Sequence, residues 1–310
     1  MWRTQHIILV PFSVWYLLSF SGQNFCCAFS SDMNYAFRNN HFERIDHLDI
    51  NNRGFLYGDG FFDTMLILDG NPTFWEDRID RAKQTLKYLQ IEQNFSFDDM
   101  ATSLKLLVRE ENHKAARARL TFIREGEGKY LPKANECRVY LSIENLNRNY
   151  FNESSAKQTN FSRMKVPIDR SGNFKLINKH HQVLAALEAK ERELDDLIMV
   201  NTDDDVCETV SGNVYIINND RVVTPPLTSG CLDGIIRRTL IKNQWCEEKS
   251  ISISDARAAE AVFLTSSIAG VVQLRMQGQK HSKNQILEDV KNNLENLLIS
   301  SARDLPENQQ

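Results

Sequence analysis

Paired cysteines are missing from this chain. Its six, at positions 26, 27, 137, 207, 231 and 246, form no CxxC pair and show no Cys/His ligand spacing. That argues against a disulfide framework or a zinc site and for reduced, mostly buried thiols; no metal is expected. Basic blocks and basic stripes interleaved with aromatics are also lacking. The formal net charge is −4, with acids and bases mixed along the chain, so nucleic acid is not an expected partner. There is no internal repeat and no low-complexity tract. No apolar run has membrane-spanning length either: the longest, Ile7 to Phe20, is about fourteen residues where a span needs about twenty.

That run follows Arg3 and His6 and has the make-up of a signal-peptide core. Cys27-Ala28-Phe29-Ser30 is a poor cleavage site, because Phe29 is bulky just after the best position. Met33 offers a second possible start, which would make the upstream stretch an over-extended gene reading. Both readings stand, and residues 1–32 are set apart from the fold. The sequons at Asn94, Asn152 and Asn160 matter only in an exported chain. Otherwise a cytoplasmic protein without a membrane partner is expected.

What is present is a globular composition, 42% apolar and 25% charged, in 310 residues, enough for two domains. Residues 60–68 form an apolar strand ended by Asp69-Gly70, a strong turn signal. Helical spacing marks 75–91, and a second helix starts at Ser96, with Ser96 and Asp99 spaced as a capping box. Strands follow at 116–124 and 137–143. Residues 147–160 are mostly polar and read as an interdomain linker. Beyond lie a strand near 161–168, a helix over 179–194, a strand at 197–200 and a hairpin over 214–223. A helix opens at Gly234, then come a strand at 261–265 and a last helix over 283–303. The predicted fold class is α+β with mixed sheets in two domains, 33–146 and 161–310.

Three segments carry chemistry. Lys175 sits in Phe174-Lys175-Leu176-Ile177-Asn178, directly after a Gly172-Asn173 turn. Partial burial among these apolar neighbours would lower its pKa and favour the neutral amine that condenses with aldehydes. Glu208, in Cys207-Glu208-Thr209-Val210-Ser211-Gly212-Asn213, can keep a pyridine nitrogen protonated. In Leu232-Asp233-Gly234-Ile235-Ile236-Arg237 the N–H groups of Ile235 and Ile236 open a helix and suit a phosphate. Thr265-Ser266-Ser267 can add a hydroxyl and Arg81 a charge. A lysine for an aldehyde, an acid for a pyridine and a helix start for a phosphate together suggest pyridoxal 5'-phosphate.

In this order and spacing the chain resembles the class IV aminotransferase family of fold-type IV pyridoxal-phosphate enzymes, over about residues 34–303. Arg53 to Thr64 resembles the family's first block. Phe74 to Arg81 resembles the next, with Arg78 where a histidine is usual. The resemblance implies a smaller N-terminal domain, a larger C-terminal one, a homodimer and a small amine substrate. It assigns Lys175 as Schiff-base lysine and proton shuttle, with Arg81, Glu208, Leu232, Ile235, Ile236 and Ser267 around the cofactor. Ile236 stands where several aminotransferases have threonine, which loses a hydroxyl and keeps the backbone donor.

Among subfamilies, Gly58 to Thr64 is closer to 4-amino-4-deoxychorismate lyases and D-amino acid aminotransferases than to branched-chain aminotransferases. The tyrosine frequent near the lysine of branched-chain enzymes is missing, since Lys179 and His180 follow Asn178. Phe62, Arg124 and Lys129 are expected near the substrate, although Arg124 and Lys129 also read as ordinary loop charges. Arg124 to Tyr130 is shorter than the glycine-arginine loop of familiar lyases. The expectation is a lyase that eliminates pyruvate and leaves 4-aminobenzoate; the alternative is an amino-acid transaminase.

Overall fold

Three tight turns set the hairpins of this fold, and each needs two successive left-handed residues. They are Asn39-Asn40, Asp69-Gly70 and Asn219-Asp220, with φ between 46° and 79°. The computed structural model describes residues 33–111, 114–146, 156–276 and 284–303. The candidate leader at 1–32 and the linker stretch 147–155 lie outside them, as do Cys26, Cys27 and Asn152.

The first sheet has six strands in the order β2-β1-β6-β5-β3-β4. They are β1 (Met33–Arg38), β2 (His41–Arg44), β3 (Gly60–Leu68), β4 (Asn71–Pro72), β5 (Ala115–Arg124) and β6 (Cys137–Asn145). A short helix, α1 (Arg53–Tyr57), precedes β3; α2 (Trp75–Leu89) and α3 (Phe97–Glu110) cover one face of the sheet. Ser96 caps α3 by accepting from the Asp99 N–H. Strand alternation divides the side chains: Met65, Ala118, Leu120 and Leu141 face the helices and join Ile79, Leu86, Met100 and Leu104 in the core. Phe62, Thr64, Arg117, Arg119 and Glu144 therefore fall on the opposite face.

The second sheet has eight strands in the order β12-β11-β10-β13-β14-β7-β8-β9. Its strands are β7 (Lys157–Val166), β8 (Asp196–Asn201), β9 (Val206–Thr209), β10 (Asn213–Asn218), β11 (Arg221–Thr224), β12 (Glu247–Glu248), β13 (Ala261–Ser266) and β14 (Gly270–Met276). Parallel pairings β14–β7 and β7–β8 make it mixed. Both faces of β10 and β13 are buried: Tyr215 and Phe263 face one core, Val214 and Leu264 another. That is why these strands read as continuous apolar runs rather than alternating ones. Four helices complete the fold: α4 (His180–Glu191), α5 (Ile235–Lys242), α6 (Ile253–Ala258) and α7 (Gln285–Ser301). The fold is α+β, as expected. The strand expected near 161 begins at Lys157, and the β1–β2 hairpin, α1, α6 and β14 were not among the expected elements. Cys137, Cys207, Cys231 and Cys246 are free and buried.

Candidate active site

Lys175 is placed by a segment that has no regular structure of its own. A 3₁₀ turn, Arg170–Asn173, leads into it, capped by Asp169 accepting from the Ser171 N–H. Gly172 presses against the Gly230 carbonyl so closely that a Cβ would lie 2.5 Å from that oxygen. Asn173 donates to the carbonyls of Leu227 and Cys231, at 2.9 and 2.7 Å. The chain then pairs with the start of β3. Phe62 N–H donates to the Lys175 carbonyl at 2.9 Å, and Ile177 N–H to Gly60 at 3.1 Å. Gly60 admits no side chain, since its Cβ would meet the Phe122 carbonyl at 2.2 Å. Tyr88 of α2 stacks on Phe174 with ring centroids 4.1 Å apart.

So fixed, the Lys175 amine lies 5.0 Å from the Phe62 ring centroid. Burial, reinforced by the positive charges of Arg81 and Lys179, pulls its pKa down to about 7. Roughly half of it is then neutral at pH 7, against about one part in three thousand for an ordinary lysine.

Glu208, on β9, is buried and both its carboxylate oxygens are partnered. Oε2 accepts from Leu232 N–H at 3.0 Å and Oε1 from the Gln182 amide at 2.9 Å. The Leu232 carbonyl in turn accepts from Asn213 at 2.7 Å. Gly234 caps α5, and its Cβ would sit 2.0 Å from Asn213 Oδ1. The first N–H groups of α5 have no acceptor inside the helix.

Arg81 reaches the same corner from α2. Its Nε and Nη2 donate to Asp63 Oδ2 and its Nη1 to the Asp233 carbonyl at 3.1 Å. Asp63 also takes Arg78, Nη1 to Oδ1 at 2.5 Å. Burial alone would raise the Asp63 pKa, but Arg81 and Arg78 hold it below the usual carboxylate range. Arg78 donates as well to the carbonyls of Thr73 and Thr64. It acts as an internal tie between α2 and β3.

These residues border one cavity of 440 Å³, within the range of about 300–1,000 Å³ for small-molecule sites. Phe62, Arg81, Lys175, Leu232, Ile235, Ile236 and Ser267 all line it. Glu208 stands directly behind Leu232.

Expectation and structure part at Arg124 and Lys129, which do not line the cavity. Arg124 is buried, and its guanidinium is taken by Asp59, by the Asn135 side chain and by the carbonyls of Leu89 and Gln90 at the end of α2. Carbonyls at a helix C-terminus, an amide oxygen and a nearby carboxylate engage all three nitrogens of this buried guanidinium, which holds it away from the cavity. Lys129 is exposed and contributes its carbonyl to Arg53 at 2.8 Å.

The charged groups on the cavity wall are instead Arg117 and Glu144, with Thr64 beside them. Arg119 packs its guanidinium 3.8 Å from the Phe62 ring centroid. Sequence reasoning passed over them, though a signal existed. Ala116-Arg117-Ala118-Arg119 alternates small and charged residues on a central strand, so one face is polar in an interior position.

The sequence model of the amino-transferase class IV family matches residues 60–276. The chain belongs to the class IV aminotransferases.

Relatives carry several activities. The aminodeoxychorismate lyase of Vibrio harveyi is 26% identical over 238 residues, 73% of this chain and 85% of the relative. The D-alanine aminotransferase of Bacillus licheniformis is 24% identical over 268 residues, 82% and 92% of the two chains. The branched-chain aminotransferase of Thermoproteus uzoniensis, solved with norvaline, shares the fold with a TM-score of 0.77 at 17% identity, covering 87% of this chain and 95% of that one.

Class IV aminotransferases are enzymes that use pyridoxal 5'-phosphate, and the residues here fit that group. The cavity holds an amine of lowered basicity, a buried guanidinium, a glycine-opened helix start and the hydroxyls of Thr265, Ser266 and Ser267. A carboxylate already oriented by two donors stands behind its floor. A side chain at Gly234 would strike Asn213 Oδ1 beside the helix start.

Proposed function

We propose that this class IV aminotransferase acts as a 4-amino-4-deoxychorismate lyase, eliminating pyruvate and leaving 4-aminobenzoate. The observation that carries this reading is the polar part of the cavity wall, built from Arg117, Thr64 and Glu144, with Arg119 close by on the lining Phe62 ring. The lyase substrate bears two carboxylates, which two guanidiniums can hold. A branched aliphatic side chain calls for an apolar wall instead.

When bound, pyridoxal phosphate supplies an electron sink for the carbon that loses its proton. Lys175 would hold the cofactor through its aldehyde carbon. It would then take the proton from the amine-bearing ring carbon as the ring C–O bond breaks, and pass a proton to the departing enolpyruvate, which becomes pyruvate, a task suited to an amine that titrates near neutrality. Glu208 keeps the pyridine nitrogen protonated, with Gln182 and Leu232 N–H fixing its two oxygens. Arg81, the first N–H groups of α5 and Ser267 receive the phosphate. Asp63 holds Arg81 in place.

The same wall suits a transaminase working on dicarboxylic amino and 2-oxo acids, which is the second reading. Exposed Tyr130 and Leu131, 92% and 84% accessible, together with Phe55 on α1, favour a homodimer through that face. No helix among the described residues is long and apolar enough to cross a membrane.

The deciding assay offers aminodeoxychorismate in parallel with D- and L-amino acids plus 2-oxo acids. Pyruvate and 4-aminobenzoate in equal amounts support the lyase. Amino transfer without pyruvate release replaces it with the second reading. The protein should be yellow, and borohydride should fix the cofactor to Lys175; a colourless protein that takes up no cofactor ends both readings.

A further inference from the structure

Arg117 and Glu144 stand directly opposite each other across β5 and β6 and are joined at 3.1 Å. Both line the cavity, and both are about half exposed, at 42% and 45%. Two residues along the same face, Arg119 rests on the Phe62 ring, and among the described residues no carboxylate pairs with it. The wall thus holds the Arg117–Glu144 pair, with a second guanidinium, Arg119, close by on the lining Phe62 ring. Burial first, and then the neighbouring Arg117 charge, lower the Arg119 pKa, as expected where two like charges share a face without a full complement of anions.

We propose that Glu144 is a resident stand-in for a substrate carboxylate, and that its exchange at Arg117 selects dicarboxylic over monocarboxylic ligands. A monocarboxylate seats on Arg119 and leaves the Arg117–Glu144 pair intact. A dicarboxylate of sufficient length also reaches Arg117, and Glu144 turns outward to water. The exchange is cheap, because a half-exposed ion pair contributes little. The incoming carboxylate gains a two-pronged contact with a guanidinium inside the cavity, where less water competes. Glu144 would also keep Arg117 neutralised when the site is empty, so that inorganic anions are not drawn to it. This inference rests on the functional reading above only in placing the substrate in this cavity. An ordinary cross-strand pair that merely ties β5 to β6 would show none of the ligand dependence described next.

The test is titration calorimetry of the cofactor-loaded protein with glutarate and with butyrate. Neither carries an amine or an oxo group, so turnover plays no part, and a failed lyase assay leaves this readout intact. Glu144→Gln should tighten glutarate by roughly three- to fivefold and leave butyrate unchanged. Arg117→Gln should weaken glutarate by about tenfold, again sparing butyrate, and Arg117→Lys should recover part of the loss. Thermal unfolding of each variant checks that the sheet is intact. Equal shifts for both ligands, or no shift for glutarate in Glu144→Gln, would overturn the proposal.

Discussion

Lys175 and Asp63 are both buried with lowered pKa values, and through each the folded protein gains stability as pH rises, over different ranges. Folded Lys175 gives up its proton near 7, whereas the unfolded chain keeps it up to the ordinary 10.5. Between those values the unfolded state binds the extra proton, so the stability of the cofactor-free protein should climb as pH rises from about 7 toward 10. Below 7 the penalty of a buried ammonium is fully present. Urea unfolding across that range, with Lys175→Met as the control that flattens the slope, measures it. The same substitution should lower turnover by at least ~10³-fold, read in single-turnover assays. Asp63 has its pKa lowered and so contributes stability at neutral pH that is lost on acidification. Asp63→Asn leaves Arg78 and Arg81 buried without their shared counter-ion and should cost about 3–5 kcal/mol, measured as a fall in unfolding free energy.

At the scale of elements, the site depends on close backbone approaches rather than on long stretches of regular structure. Helix α5 begins at Gly234 because a Cβ there would strike Asn213 Oδ1, whose amide nitrogen holds the Leu232 carbonyl. Gly234→Ala should displace that first turn and weaken pyridoxal-phosphate binding by about tenfold, one charge-assisted contact being worth about 1.5 kcal/mol. Absorbance titration of cofactor-free protein checks this, and helix content should stay unchanged in circular dichroism. The Lys175 segment is ordered in the same indirect way. It borrows the start of β3, Asn173 and the Tyr88 ring instead of forming an element itself.

For the whole molecule, the cavity lies where the open face of the first sheet meets the start of α5 and the end of β13. The second apolar core spans both parts of the chain, since Leu66, Leu68 and Phe74 pack with Tyr215, Phe263 and Leu294. The exposed apolar tip at Tyr130-Leu131 belongs to this scale as well, because no described residue of the chain covers it. Sedimentation should give a dimer for the protein, and a lighter species for Leu131→Glu at equal concentration. The variant's own unfolding should shift by no more than about 0.5 kcal/mol, as for an exposed surface position.

The sequence by itself determined the elements whose signals are local. Asp69-Gly70 and Asn219-Asp220 announced their turns through the residues that tolerate positive φ, and α2 and α3 followed from helical spacing. It also determined the cofactor chemistry, because lysine, acid and glycine-opened helix carry distinct and recognisable roles. Tertiary structure alone decided which charges face the cavity. Arg124 and Arg119 lie on the same strand and carry the same group, yet one is consumed by Asp59 and the end of α2 while the other rests on the Phe62 ring at the site. A guanidinium's partners come from elements distant in sequence, and only packing assigns them.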